Sequence, residues 1–366
     1  MKFRSERDLL VEALAAASRV VSSRLVGATS GILLSLTGNS LSVTGTDLDI
    51  TVRTSIDVIG IEDGSVVVPS RLIVDAIRSL EAGAVTVSGS EESVDVSLGR
   101  ARFSLRTFSV MDYPKLPPLT GVLTSVPARE LLLGLSQVVR AAATDDARPL
   151  LTGVLFTTDH DSLRLIATDS YRLAVRDVPG VKGFTDSYDI LVPARALQEL
   201  QRVAGTPTDD AQIGVTLTEA DISFVVGRTS IASRLIDGNY PSVLQLIPAS
   251  YPNQLRIAKD TLLVSLRRTR LLAKDATSSV RLTMRDKNVE IRTQSHDTGD
   301  VEDNVDADYQ GEELTIAFNP NFLIDGVEAV LGDEIVLELS DSVRPAMVHG
   351  VDDERFRYLL MPVRVQ

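Results

Sequence analysis

The chain has 366 residues, no cysteine and a formal net charge of −13. That length predicts two or three domains, since one core rarely serves much beyond about 200 residues. The missing cysteines exclude a disulfide framework, a thiolate metal site and a Cys nucleophile, and fit a reducing cytoplasm. The acidic balance excludes a surface that attracts phosphate everywhere, so a nucleic-acid role depends on where Lys and Arg cluster.

In chain order, "MKFRSERDLL" places Glu6 and Asp8 where a signal peptide needs an unbroken apolar stretch, and no later run has the roughly 20 apolar residues of a membrane span. "SERDLLVEALAAASRV" predicts an amphipathic helix with Leu10, Ala13, Leu14, Ala17 and Val21 on one face and Ser5 and Asp8 as its start signal. The same pattern recurs in "PARELLLGLSQVVRAA" and "AKDTLLVSLRRTRLLA". A strand running into a helix that opens on proline, a residue whose missing N–H costs nothing at that place, occurs at Pro69, Pro193 and Pro320. These prolines are separated by 193 − 69 = 124 and 320 − 193 = 127 residues. Each unit then closes on a related segment, at Tyr113-Pro114, at Tyr240-Pro241 and in the terminal "RFRYLLMPVRVQ". The Thr46-Asp47 pair of "GTDLDITV" returns as Thr168-Asp169 in "ATDSYRLAV".

Three markers in the same order predict three homologous domains, 1–120, 121–248 and 249–366. Each has two helices and several antiparallel strands, an α+β class, because short alternating segments such as "AVTVSGS" and "SVDVSLG" separate the helices. Boundaries are expected near "PKLPPLTGV" and "IPASYPNQ".

Catalytic constellations are absent at convincing spacing. His160, His296 and His349 have no ligand partner at helical spacing and read as exposed loop residues. No phosphate-binding glycine motif opens a helix. "DTGD" at Asp297 to Asp300 lies in a stretch with eight acids and neither Lys nor Arg from Asp297 to Glu313, and reads as an acidic surface loop. No enzyme activity, cofactor or metal is expected.

The segments "MKF", "GTDLDI", "VPSRLIVDAIRSL", "RARFSLRTFSVMDYPKLP", "RPLLTGVLF", "LIATDSYRLAV", "LIDGNYPSVLQLIP", "LTIAFNPNFLIDGVEAV" and "YLLMPVR" resemble the bacterial sliding clamp, the beta subunit of DNA polymerase III, in register along the whole chain. The resemblance implies three domains of one topology and a head-to-tail homodimer closing into a six-domain ring around duplex DNA. A 120-residue domain approximates a sphere about 35 Å across, and six touching spheres enclose a hole one sphere wide. Implied partners are double-stranded DNA bound without sequence preference, and short peptides of the polymerase III alpha subunit, the clamp loader and repair proteins. No membrane partner is implied, and the expected location is the cytoplasm, at the nucleoid. A three-repeat scaffold that binds peptides without encircling DNA is the alternative reading.

The resemblance also assigns residues. Candidates for phosphate contact on inner helices are Arg24, Arg71, Arg78, Arg195, Arg202, Arg267, Arg268 and Arg281, which position DNA without reading bases. "LVGATSG" after Arg24 departs from the proline-containing loop usual in the family. The peptide pocket is carried over onto Leu151, Thr168, Ser170, Tyr171, Arg172 and Leu173, onto Pro241 and Leu246, and onto Val343, Met361, Pro362, Val363 and Arg364. The dimer interface is expected to join Arg100, Arg102, Phe103 and Leu105 of the first domain to Leu271, Leu272, Asp297, Asp300, Glu302 and Asp303 of the third. Those acids have no nearby base in the sequence.

Overall fold

The computed structural model describes residues 1–22, 24, 26–116, 123–145, 147–159, 162–181, 189–272, 279–295 and 299–364. His160, His296 and Asp297 lie outside the described residues.

The first repeat contains β1 (Lys2–Glu6), α1 (Arg7–Val20), β2 (Gly31–Thr37), β3 (Ser40–Thr46), β4 (Ile50–Asp57), β5 (Ile59–Glu62), β6 (Gly64–Pro69), α2 (Ser70–Arg78), β7 (Ala84–Gly89), β8 (Ser93–Leu98) and β9 (Ala101–Arg106). The second contains β10 (Leu123–Pro127), α3 (Ala128–Val138), β11 (Gly153–Asp159), β12 (Ser162–Thr168), β13 (Arg172–Val178), β14 (Ile190–Pro193), α4 (Ala194–Ala204), β15 (Gln212–Leu217), β16 (Asp221–Val226) and β17 (Thr229–Arg234). The third contains β18 (Asn253–Ala258), α5 (Lys259–Arg270), β19 (Val280–Arg285), β20 (Asn288–Ser295), β21 (Gly299–Asp306), β22 (Asp308–Gln310), β23 (Leu314–Phe318), α6 (Pro320–Ala329), β24 (Glu334–Leu339), β25 (Ala346–Gly350) and β26 (Asp353–Leu360). Among the described residues each repeat has two helices and antiparallel strands, which makes this an α+β chain of three like domains.

Two helix-start details differ from the sequence expectation. Ser5 lies in β1, paired with Val85, and Glu6 is the N-cap without a side-chain bond, because β1 runs straight into α1. The buried face of α1 accordingly ends on Val20 instead of Val21. Pro69 and Pro193 are the last residues of their strands, paired with Gly31 and Gly153, and their helices begin one residue later. Only Pro320 is the first helical residue, because Asn319 takes the N-cap and accepts from the N–H groups of Asn321 and Phe322.

The chain divides into two compact units, Met1–Ala128 with Gln198–Leu235, and Arg129–Leu197 with Ile236–Gln366. In the first, a five-stranded sheet ordered β5-β1-β7-β8-β9 and an eight-stranded sheet ordered β10-β15-β16-β17-β4-β3-β2-β6 are both antiparallel. The buried faces of α1 and α2 (Leu10, Leu14, Ile73, Ile77) close a core with Phe3, Ile32, Leu41, Val85 and Val94. Gly45 permits close passage of β3 beside α1, since a Cβ there would stand 2.1 Å from the carbonyl oxygen of Ala17. In the second unit the sheets are ordered β14-β11-β12-β13-β26-β25-β24-β18-β22 and β21-β20-β19-β23.

Each larger sheet joins consecutive repeats through one equivalent pair of strands. β4 pairs with β17, Val52 opposite Ile231, and β13 pairs with β26, Val175 opposite Arg357. The corresponding strands left over, β21 of the third repeat and β9 of the first, are edges of their own sheets.

Candidate functional site

The two Thr-Asp turns are the same structure. Thr46 Oγ1 donates to the carbonyl of Ile50 at 3.1 Å and accepts from the N–H of Leu48 at 3.0 Å, while Asp47 Oδ1 accepts from the N–H groups of Asp49 and Ile50. Thr168 Oγ1 donates to the carbonyl of Arg172 at 2.6 Å and accepts from the N–H of Ser170 at 3.1 Å, and Asp169 Oδ1 accepts from Tyr171 and Arg172. Short polar side chains that satisfy backbone donors locally make such turns independent of the surrounding sheet.

The second turn lies beside a buried apolar cluster of Ile166, Leu173, Val175, Val243, Met347 and Leu359, flanked by the half-buried Tyr240 and Tyr251. Tyr171, Leu246, Val343 and Met361 are exposed although apolar or aromatic. The N–H of Met361 donates to the carbonyl of Tyr171 at 2.9 Å, and that of Val363 to Ala317 at 2.8 Å, which ties the C-terminal segment to the turn and to β23. Pro362 and Leu151 are half buried, Pro241 and Arg364 exposed. Exposed Met, Leu and Tyr side chains suit contact with an apolar peptide anchor.

Three of the carried-over residues lie beneath this surface. Thr168 is committed to its turn and Leu173 to the buried cluster. The Arg172 guanidinium is buried: Nε donates to Asp169 at 3.0 Å and Nη1 to Asp325 at 2.6 Å, Nη2 donates to the carbonyl of Arg140, and the group lies 4.3 Å from the Phe322 ring centroid. Burial opposes its charge, but Tyr358, Asp325 and Asp169 outweigh that effect and raise its pKa. Arg172 therefore fixes the turn, and Tyr171 beside it stacks on Phe322 with centroids 6.3 Å apart.

The arginine set divides by element. Arg71 and Arg78 are exposed on α2 and Arg195 on α4, while Arg24 is exposed in a turn after α1. Arg202 pairs with Glu199, Arg267 with Glu328 at 2.9 Å and Arg268 with Asp303 at 3.1 Å. Arg281 belongs to no helix, because "VRLTMR" alternates buried and partly exposed residues with period two and forms β19.

At the leftover edges, Arg102 is exposed on β9 and paired with Asp95 at 2.9 Å, and Arg100 lies in the turn before it. Phe103 and Leu105 alternate with these charges and pack, half buried, against the first repeat's core. On β21 Glu302 is exposed, whereas Asp300 faces Arg292 at 3.6 Å and Asp303 is held by Arg268, so two of the acids do have bases, brought by folding. Leu271 is exposed at the end of α5, and Leu272 follows it half buried. His349 lies on β25 and not in a loop, with Nδ1 at 2.9 Å from the carbonyl of Gly350 and Nε2 at 3.6 Å from Glu338. Sequence reasoning missed Phe322, Asp325 and Glu328, whose importance depends on Arg140, Arg172 and Arg267 arriving from other elements. Among the described residues no helix is long and apolar enough to cross a membrane.

A helix pair on antiparallel sheet repeated three times, with a buried apolar cluster beside the second copy of a duplicated turn, defines a three-domain clamp. Family models for the N-terminal, central and C-terminal domains of the DNA polymerase III beta subunit match residues 1–117, 125–242 and 244–364. The beta sliding clamp of Streptomyces coelicolor is 33% identical over 375 residues, and that of Bacillus subtilis 30% over 384, each covering 100% of both chains. A DnaN sliding clamp from Bartonella birtlesii, solved bound to griselimycin, superposes with a TM-score of 0.92 at 30% identity, and a Bacillus subtilis clamp with 0.89 at 29%, both over 100% of each chain. The chain belongs to the DNA polymerase III beta subunit family. Its function is that of a DNA sliding clamp, in a family of polymerase processivity factors.

Proposed function

We propose that two copies of this chain close head to tail into a ring that encircles duplex DNA and holds polymerase through the pocket beside Tyr171, without catalysing a reaction. The observation that carries this reading is the pair of edges β9 and β21. Both correspond to strands that join the repeats internally, and their charges are opposite. Residues two before each second-helix N-cap (Val67, Leu191, Ala317) lead across the ladders through Leu33, Leu155 and Arg281, then Thr44, Ile166 and Arg292, to Arg53, Val175 and Glu302. Residues three before the first helices lead likewise from Arg4 through Thr86 and Ser97 to Arg102, and from Ser125 through Gly214 and Val225 to Ser230. Arg53 and Ser230 are partners in the first junction, so the same register sets Glu302 opposite Arg102 and Val301 opposite Phe103 across two copies.

The domains in this reading run 1–120, 121–248 and 249–366. Arg24, Arg71, Arg78 and Arg195, with Arg202, Arg267 and Arg268 sharing their carboxylates, would face the phosphates, and Arg281 would act from its strand. Peptides of the polymerase alpha subunit, the clamp loader and repair proteins would place an apolar anchor between Leu246, Val343 and Met361. The working location is the cytoplasm, at the nucleoid.

Retention on DNA tests encirclement. A closed ring leaves only by opening or by sliding off an end, whereas phosphate contacts weaken steeply with salt. Protein loaded on nicked circular DNA should survive a high-salt wash and be lost once the circle is cut. Equal loss from circular and linear DNA would sink the reading.

A further inference from the structure

The two junctions between consecutive repeats share one ladder but differ in surface chemistry. The duplicated turn sets the register, since Thr46 pairs with Thr51 and Thr168 with Leu173. Counted from it, Ile166, Leu173 and Val175 of the buried apolar cluster correspond to Thr44, Thr51 and Arg53. Met347 and Leu359, reached across the junction, correspond to Ser223 and Ala232. Where the second unit has an apolar cluster, the same ladder positions of the first unit carry hydroxyl groups, an alanine and a guanidinium.

This polar face holds an open groove of about 430 Å³. Arg53, Ser55 and Asp57 of β4 line it, with Ser230 of β17 and Arg228 of the turn before that strand. Arg53 is exposed and has no ion pair or side-chain hydrogen bond among the described residues. Arg228 pairs with Asp57 at 2.6 Å, and both side chains are largely exposed. Ser230 stands opposite Arg53, and the N–H of Ser55 donates to the carbonyl of Arg228 at 3.1 Å, which continues the ladder. The two arginines are therefore diagonal neighbours on one face, a relation that spans roughly 7–8 Å. Side chains two apart in an extended peptide also share a face, at roughly 7 Å.

We propose that this groove binds an extended acidic segment of a partner protein, with carboxylates two residues apart on Arg53 and Arg228 and the hydroxyls of Ser55 and Ser230 beside them. A guanidinium fork matches a carboxylate in shape and charge. The segment's second carboxylate takes Arg228 from Asp57, which is exposed and returns to water at little cost. A nucleic-acid strand fits less well, because no aromatic side chain lines the groove for bases to stack on and Asp57 repels a continuous run of phosphates. The inference rests on the duplicated ladder and the groove, and stands whether or not two chains close into a ring.

Fluorescence anisotropy of the full chain with a fluorescein-labelled acetyl-Ala-Glu-Ala-Glu-Ala-amide peptide in low salt tests this. The chain should bind that peptide and not its counterpart with Gln for each Glu. Arg53→Ala should weaken binding roughly tenfold, the scale of one charge-assisted hydrogen bond, and Arg53→Lys roughly threefold, since a point charge remains without the fork. Asp57→Asn should tighten binding roughly threefold by freeing Arg228. Arg4→Ala removes an exposed charge on β1, away from the groove, and should change binding by less than about twofold. Absence of binding, indifference to Arg53, or an equal effect of Arg4→Ala would overturn the proposal. Arg53-dependent binding of inorganic phosphate or of a thymidine oligonucleotide, tighter than that of the peptide, would overturn it equally, because the groove would then be a phosphate site.

Discussion

Leu48 and Ser170 adopt the same left-handed backbone, φ 83° and 78°, at the same place of the two Thr-Asp turns, and are the non-glycine residues with positive φ among those described. For an L-residue this conformation costs on the order of 1 kcal/mol, maintained here by the threonine and aspartate that bond to the surrounding N–H groups. Replacing Ser170 should therefore separate backbone strain from side-chain chemistry. Ser170→Gly is expected to keep stability or raise it by up to about 1 kcal/mol, and Ser170→Val to lower it by about 1–2 kcal/mol, since β-branching tolerates positive φ worst. Urea unfolding would show it; equal stability of the two variants would contradict the strain.

The proposed peptide site predicts a separable loss of binding. Met361 is exposed while the adjacent Leu360 is buried in β26 opposite Arg172 and Ala346. Met361→Ala, or truncation after Leu360, should cost roughly 1–3 kcal/mol of affinity for a polymerase peptide by calorimetry, with unfolding little changed. Unchanged affinity would move the site elsewhere.

The proposed ring interface predicts different behaviour for apolar and charged changes. Leu271→Ala with Leu272→Ala should give a folded monomer by light scattering. Arg100→Glu with Arg102→Glu should weaken the dimer in low salt and recover much of it in high salt, because exposed charge pairs are screened. Persistence of the dimer in the leucine variant, or an arginine defect indifferent to salt, would refute the assignment.

Glu328 predicts an acid limb to stability. Its pKa is held below the usual carboxylate range by the hydrogen bond from Arg267 and then by Arg140. A depressed folded-state pKa contributes stability that is present above the unfolded value, about 4.3, and is lost as pH falls through the lower folded value. Glu328→Gln should therefore lower the urea midpoint at neutral pH and reduce its fall on acidification. An unaltered acid slope would mean that the pair does not stabilise the fold.

Helix periodicity, strand alternation and the Thr-Asp turn depend on residues within about ten positions of one another, so the three repeats, the helices described in them and the recurrence of the turn were legible in the linear chain. The partners of charged groups were not. Arg172 reads as a pocket residue until Asp325, 153 residues away, and Phe322 are seen to bury it, and Asp300 and Asp303 look unpaired until folding brings Arg292 and Arg268. Likewise Arg19 and Glu199, 180 residues apart, reveal nothing singly until folding pairs them. Which strand becomes an edge, and which carboxylate meets which guanidinium, follows from ladder register and helix packing between segments far apart along the chain, and local pattern contains neither.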